Sequence, residues 1–161
     1  RMAKDVLLFS KDPQIPAFLE SGDVDAGLAL QNMALEMVRS DPDLDQVRIL
    51  GPDGAEKFRV EQRAGVVSAD RLQFKGDRPY FQEAALLPRG VVSLSRIDLN
   101  TEGGRVEEPL KPVIRVSVAV RDAGDRLLGV VVFNTLARKI LFSFEDLFPA
   151  YASKFRILTS E

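Results

Sequence analysis

Two apolar stretches, Val113 to Val120 and Leu127 to Thr135, are separated by the turn-forming run Asp122-Ala-Gly-Asp125, and this arrangement constrains the fold more than any other feature of the chain. Gly and Asp supply the backbone angles of a tight reversal, so the two stretches are predicted to pair as an antiparallel hairpin. In the first, Ile114, Val116, Val118 and Val120 share one face, while Arg115, Ser117 and Ala119 share the other. One face is dry and the other mixed. In the second, Val130, Val131, Val132 and Phe133 follow in succession, apolar on both faces, which predicts a central strand.

A second hairpin is predicted from Val47-Arg-Ile-Leu50, the turn tetrad Gly51-Pro-Asp-Gly54 and Lys57-Phe-Arg-Val60. Before it the spacing is helical. Val6, Leu7 and Phe9, then Ile15, Phe18 and Leu19 beyond Asp12-Pro13, predict helix, break and helix, with Asp12 as N-cap and Pro13 at the first helical position. From Ala26 to Ser40, Leu28, Leu30, Met33, Leu35, Met37 and Val38 predict a long helix, with Met33 and Met37 filling gaps in the core. The run Ser40-Asp-Pro-Asp43 closes it. Pro79 is predicted to open a short helix through Leu87, ended by Pro88-Arg-Gly90. Its first turn would offer backbone N–H groups to an anion. Long helices followed by an antiparallel sheet with a short helix inserted make an α+β architecture.

With 161 residues and 45% hydrophobic content, the chain is long enough for one domain with a sizeable core. Its 22 basic and 24 acidic residues leave a formal charge of -2, so no global field attracts nucleic acid, and no nucleic-acid partner is expected. Cysteine and histidine are both absent, which removes the commonest metal ligand and the commonest general base. No metal and no cofactor are expected. Gly103-Gly-Arg-Val-Glu-Glu108 superficially resembles the GGDEF signature of a diguanylate cyclase, but arginine stands where that signature needs its metal-binding aspartate. Asp98 and Glu102 lack the aromatic platform of a glycosidase. No P-loop, Gly-x-Ser-x-Gly elbow or zinc spacing occurs, so catalysis by this stretch is not expected. No apolar run approaches the roughly 18 residues that span a bilayer, and Arg1-Met-Ala-Lys lacks the apolar core of a signal peptide. The first residue is not methionine, and Lys154-Phe-Arg-Ile-Leu-Thr159 reads as a strand that stops abruptly. A piece of a longer protein is expected.

Five segments, in their order and spacing, carry a family resemblance. They are Gln46 through Glu56, Asp77-Arg-Pro-Tyr-Phe-Gln-Glu83, Ser95 through Asn100, Glu108-Pro-Leu-Lys-Pro-Val-Ile-Arg115, and Gly129-Val-Val-Val-Phe-Asn134. Together the chain resembles the PAS-like Cache domains of extracytoplasmic sensors, in particular the membrane-distal module of a double Cache sensor of bacterial histidine kinases or diguanylate cyclases. The resemblance implies a PAS-like antiparallel sheet with long N-terminal helices on one face and a short helix and loops over the other. It implies a module over residues 1–142, with its N-terminal helices in 1–40. Residues 143–161 are then a C-terminal extension, the start of a second module or of the link to the membrane. The implied function is small-molecule sensing in the periplasm by a membrane-anchored inner-membrane receptor, transmitted through the N-terminal helix. A homodimer through those helices is implied as well. A ligand-free dimerisation or spacer module is the alternative.

In Cache receptors for amino acids, an arginine and two aromatics opening the helix after the first hairpin hold the ligand carboxylate. A carboxylate at the end of the last central strand holds the amine. Arg78, Tyr80 and Phe81 match the first group. At the second position stands Asn134, an amide without charge to neutralise an ammonium. The expected ligand is therefore an organic acid or another small polar molecule. Asp98 and Arg115 complete the candidate set, and Arg78, Tyr80, Arg115 and Asn134 are expected to converge on a small cavity opposite the long helices, closed by the loop from Val91 to Pro112. Each residue has a plainer reading. Arg78 pairs with Asp77 or Glu83 at the surface, Tyr80 and Phe81 are ordinary core, Asp98 and Asn100 tie a turn, and Arg115 neutralises a buried carboxylate.

Overall fold

The computed structural model describes residues 1–138. The predicted extension 143–161, with its strand at Lys154 to Thr159, lies outside them. Helices α1 (Met2–Ser10), α2 (Gln14–Ser21) and α3 (Val24–Ser40) come first, followed by strands β1 (Leu44–Leu50), β2 (Glu56–Glu61) and β3 (Gly65–Val66). After the short helix α4 (Pro79–Leu86) come β4 (Val92–Leu94), β5 (Asp98–Leu99), β6 (Thr101–Glu102), β7 (Arg105–Val106), β8 (Pro112–Arg121) and β9 (Leu127–Leu136).

The main sheet runs β3-β2-β1-β9-β8-β4, with β5 also pairing β8, and every pairing is antiparallel. The fold is therefore mixed α+β with an antiparallel sheet, as the patterning predicts. Both predicted hairpins form, and β9 is the central strand between β1 and β8. Its unbroken apolar run is buried on both sides, by the helix layer and by α4.

The three helices cover one face. Val6, Phe9, Ile15, Leu30, Ala34 and Val38 pack on Val47, Ile49, Phe58, Val60, Val116, Val118, Val131 and Phe133. In β1 and β2 these positions alternate with polar ones and in β9 with Val130 and Val132, so the period of two decides which residues meet the helices. Helix α3 starts two residues before the predicted Ala26, because Asp23 caps it by accepting the Ala26 N–H at 3.0 Å. Gly27 lets α2 approach closely, since a Cβ there would lie 2.8 Å from the Phe18 ring. Met33 is more exposed than its predicted core role requires, while Met37 packs against the core.

Where the break between the first two helices was predicted, α2 begins at Gln14 rather than Pro13. The N-cap position falls on Pro13 rather than Asp12, although the Asp12 carboxylate accepts the Gln14 N–H at 2.8 Å from one residue further back. Strand β1 begins at Leu44 rather than Val47, because Asp45 and Gln46 are buried polar residues that a hydropathy pattern reads as loop.

Candidate functional site

The sheet face turned away from the helices has two halves. Leu50, Val130 and Val132 form an apolar half under Tyr80, Phe81 and Ala84 of α4. Arg121 locks that helix in place, donating from Nη2 to the Ala85 carbonyl at 2.6 Å and from Nε to the Leu87 carbonyl at 3.2 Å, near its open C-terminal end. Beside it lies a polar half built from Gln46, Arg48, Arg59, Arg115 and Asn134, all buried.

Register sets the charges of this half. Arg48 on β1 lies directly opposite Arg59 on β2, and Asn134 on β9 lies between Gln46 and Arg115. Two like charges opposite one another destabilise a sheet unless anions intervene. Glu56 intervenes, 3.4 Å from Arg48 Nη1 and 3.0 Å from Arg59 Nη1, and accepts the Gln73 backbone N–H at 2.9 Å. Glu102 intervenes from outside the sheet. One of its oxygens accepts from Arg48 Nη2, from Gln46 Nε2 at 3.2 Å and from Asn100 Nδ2 at 3.3 Å. The other accepts from Gln73 Nε2 at 3.0 Å and Arg59 Nη1 at 3.3 Å, with Lys75 Nζ at 3.9 Å. Burial alone would raise the Glu102 carboxyl, but Arg48, Lys75 and Arg59 overcome it and hold its pKa at about 2. Burial and the neighbouring Arg48 lower Lys75 to about 8 against the pull of Glu102 and Glu56.

Next to this cluster Arg48, Lys75, Arg78, Tyr80, Asp98, Thr101 and Arg115, with Pro79, line a cavity of about 70 Å³. Four cations face one carboxylate there. Arg115 is 8% exposed, and its guanidinium carbon sits 5.0 Å from the Tyr80 ring centroid, a cation–π contact. Among the described residues no carboxylate forms an ion pair with it and its guanidinium makes no hydrogen bond, leaving the buried Nε unpartnered. Burial, reinforced by Arg48, lowers its pKa.

The predicted residues divide accordingly. Arg78, Tyr80, Asp98 and Arg115 line one cavity on the face opposite the helices. Arg78 also stands 3.7 Å from Asp77, and Asp98 accepts the Leu99 N–H at 2.8 Å, so their plainer roles are present too. Phe81 packs in the apolar half. Asn134, expected in the same cavity, is not among its lining residues and instead donates to Gln46 Oε1 at 2.9 Å and to Asn100 Oδ1 at 3.1 Å. Sequence reading missed Arg48, Arg59, Glu56, Lys75 and Glu102. The available signal was an arginine between apolar neighbours in each strand of the first hairpin.

A single antiparallel sheet with helices on one face and a roofed polar floor on the other is the architecture of Cache-type sensor modules. The chain belongs to the bacterial histidine kinase sensor domain family, whose model matches residues 1–149. Among solved structures it is similar to a domain of a sensory box/GGDEF family protein from Vibrio parahaemolyticus, with a TM-score of 0.77 and 23% identity over 88% of this chain and 54% of that one. The sensor domain of the V. cholerae histidine kinase DctB superposes with a TM-score of 0.60 and 22% identity over 89% of this chain and 50% of that one. The ligand-binding domain of the Pseudomonas fluorescens chemoreceptor CtaA, solved with L-serine, gives 0.58 and 13% identity over 89% and 54%. At these identities the likeness is one of fold, and the chain spans about half of each of these structures. No curated protein sequence matches it. Among the described residues no helix is long and apolar enough to cross a membrane.

Proposed function

We propose that this domain senses a small carboxylate-bearing molecule outside the cytoplasm on behalf of a membrane-anchored receptor. Arg115 carries the reading. A buried guanidinium without an anionic partner is costly, and the cost is relieved when a ligand oxygen arrives at the cavity it faces. Arg78 and Lys75 strengthen the preference for an anion, Tyr80 walls the space, and Asp98 is the one acid at its edge. The amide of Asn134 offers no charge for an ammonium, and its Nδ2 is committed to Gln46 and Asn100. An organic acid therefore fits this wall better than the matched α-amino acid.

Occupancy would act on the receptor by favouring one packing of the sheet against α1 and α3, since a ligand shifts an equilibrium only by binding its two states differently. Exposed Leu8, Val24 and Leu28 on those helices suit a homodimer through the helix layer. Calorimetric titration with short organic acids and with their α-amino counterparts tests the ligand class. Binding of the acids, lost in Arg115→Met, supports the reading. Tighter binding of the amino acids overturns it, and no binding of either returns the domain to a ligand-free spacer.

A further inference from the structure

Strands β6 and β7 form a two-stranded hairpin of their own, detached from the main sheet. Its turn, Glu102-Gly103-Gly104-Arg105, needs two consecutive residues at positive φ, and Gly103 (57°) and Gly104 (78°) provide them. Such a hairpin is marginal without support. Gly103, Gly104, Arg105 and Val106 are exposed, and the base is tied by Asn100 and by Lys111, which lies 2.7 Å from Glu107 and 3.2 Å from Asp45. At the tip the anchor is the Glu102 side chain, helped by a 3.4 Å bond from Gly103 N–H to Gln73. Glu102 is thus a carboxylate carried by a separate two-stranded arm, inserted among Arg48, Arg59 and Lys75 with hydrogen bonds to both oxygens.

The hairpin also divides space. Thr101 lines the 70 Å³ cavity that holds Arg115, while Glu102 and Gly103 line a neighbouring cleft of about 350 Å³ with Arg59, Arg71 and Gln73. The first cavity alone is smaller than the ~300–1,000 Å³ of ordinary ligand pockets. The neighbouring cleft, which Glu102 lines, falls in that range.

We propose that Glu102 is a tethered stand-in for a ligand carboxylate: it occupies the cationic cage of Arg48, Arg59 and Lys75, and a carboxylate ligand enters by displacing it and releasing the β6–β7 hairpin. This rests on the carboxylate-sensing reading above and adds its regulation. The arm sets the ligand threshold, because the apparent affinity is the intrinsic one multiplied by the fraction of time the cage is vacated. The low pKa of Glu102 keeps the competitor charged at every physiological pH.

The test uses the 161-residue chain with acetate as probe and chloride as the ionic-strength control. Glu102→Gln removes the competing charge and leaves the shape. Its acetate affinity is expected to rise about tenfold or more over the unaltered chain. If the variant is less stable, acetate should restore its thermal midpoint, while a Leu30→Ala core variant gains no comparable rescue. Independently, in amide NMR of the unaltered chain, the Gly103 and Gly104 signals should move toward random-coil positions as acetate or a longer carboxylate saturates. Carboxylates that bind near Arg115 with the glycine signals unmoved and no gain in Glu102→Gln overturn the tethered stand-in and leave the sensing reading intact. No carboxylate binding to either protein overturns both.

Discussion

Arg48 and Arg59 are directly opposed cross-strand partners on β1 and β2, both buried, and their repulsion is relieved by two glutamates of different origin. Glu56 is part of the sheet and Glu102 is brought by a hairpin 43 residues after Arg59. The same pair of cations thus has one permanent counter-ion and one removable one.

Loss of the permanent counter-ion should be severe. Glu56→Gln leaves Arg48 and Arg59 undercompensated in a buried setting, and a cost of about 3–5 kcal/mol in unfolding free energy is expected. Urea denaturation followed by circular dichroism measures it. A cost below about 1 kcal/mol would mean that Glu102 and solvent suffice to neutralise the pair.

Arg115 should behave in the opposite way. Arg115→Met removes a buried cation without an ionic partner, so stability is expected to hold or to rise by up to about 2 kcal/mol despite the lost Tyr80 contact. Binding of organic acids should meanwhile weaken by about 2–5 kcal/mol. Thermal melts and calorimetry on one preparation read both quantities, and a strongly destabilised variant would place Arg115 in the structural set instead.

Acid should weaken the fold through Glu102. Its carboxyl titrates at about 2 when folded against 4.5 for an unperturbed glutamate, so its stabilising contribution is complete above about 4.5 and drains away as pH falls toward 2. The pH dependence of unfolding free energy in Glu102→Gln should be flatter across that window than in the unaltered chain. Parallel profiles would show that Glu102 is not held by the cage in solution.

Lys75 acts at the alkaline end. Its ammonium titrates at about 8 when folded against 10.5 unperturbed, so between those values the unfolded chain binds more protons and stability rises with pH. In Glu102→Gln, where no internal carboxylate is exchanged, a carboxylate in the cage should raise that titration, and by linkage its binding should weaken as pH climbs through it. Carbon-13 NMR of the lysine ε-methylenes, with Lys75→Arg for assignment, reports the midpoint with and without acetate. An unchanged midpoint at saturation would place the carboxylate elsewhere.

The amino-acid sequence by itself determined the elements that depend on periodicity and turn chemistry. Alternation in Val113 to Val120 sorted the helix-facing residues from the mixed ones, the uninterrupted Val130 to Phe133 marked the middle of the sheet, and Asp122 to Asp125 closed the hairpin. These are local properties, legible because a strand repeats every two residues and a turn needs a few particular side chains. Arg78 and Tyr80, placed by the family resemblance, and Arg115, placed by the mixed strand face, line one cavity, while Asn134, expected with them, does not. The tertiary structure alone decided what the polar face means. Alternation cannot distinguish a face that meets water from one roofed by a distant segment, so the burial of Arg48 and Arg59 against Glu102 is visible only in the fold. Glu102 was equally opaque, because its role depends on partners 54 and 43 residues away that come together only when the sheet has formed.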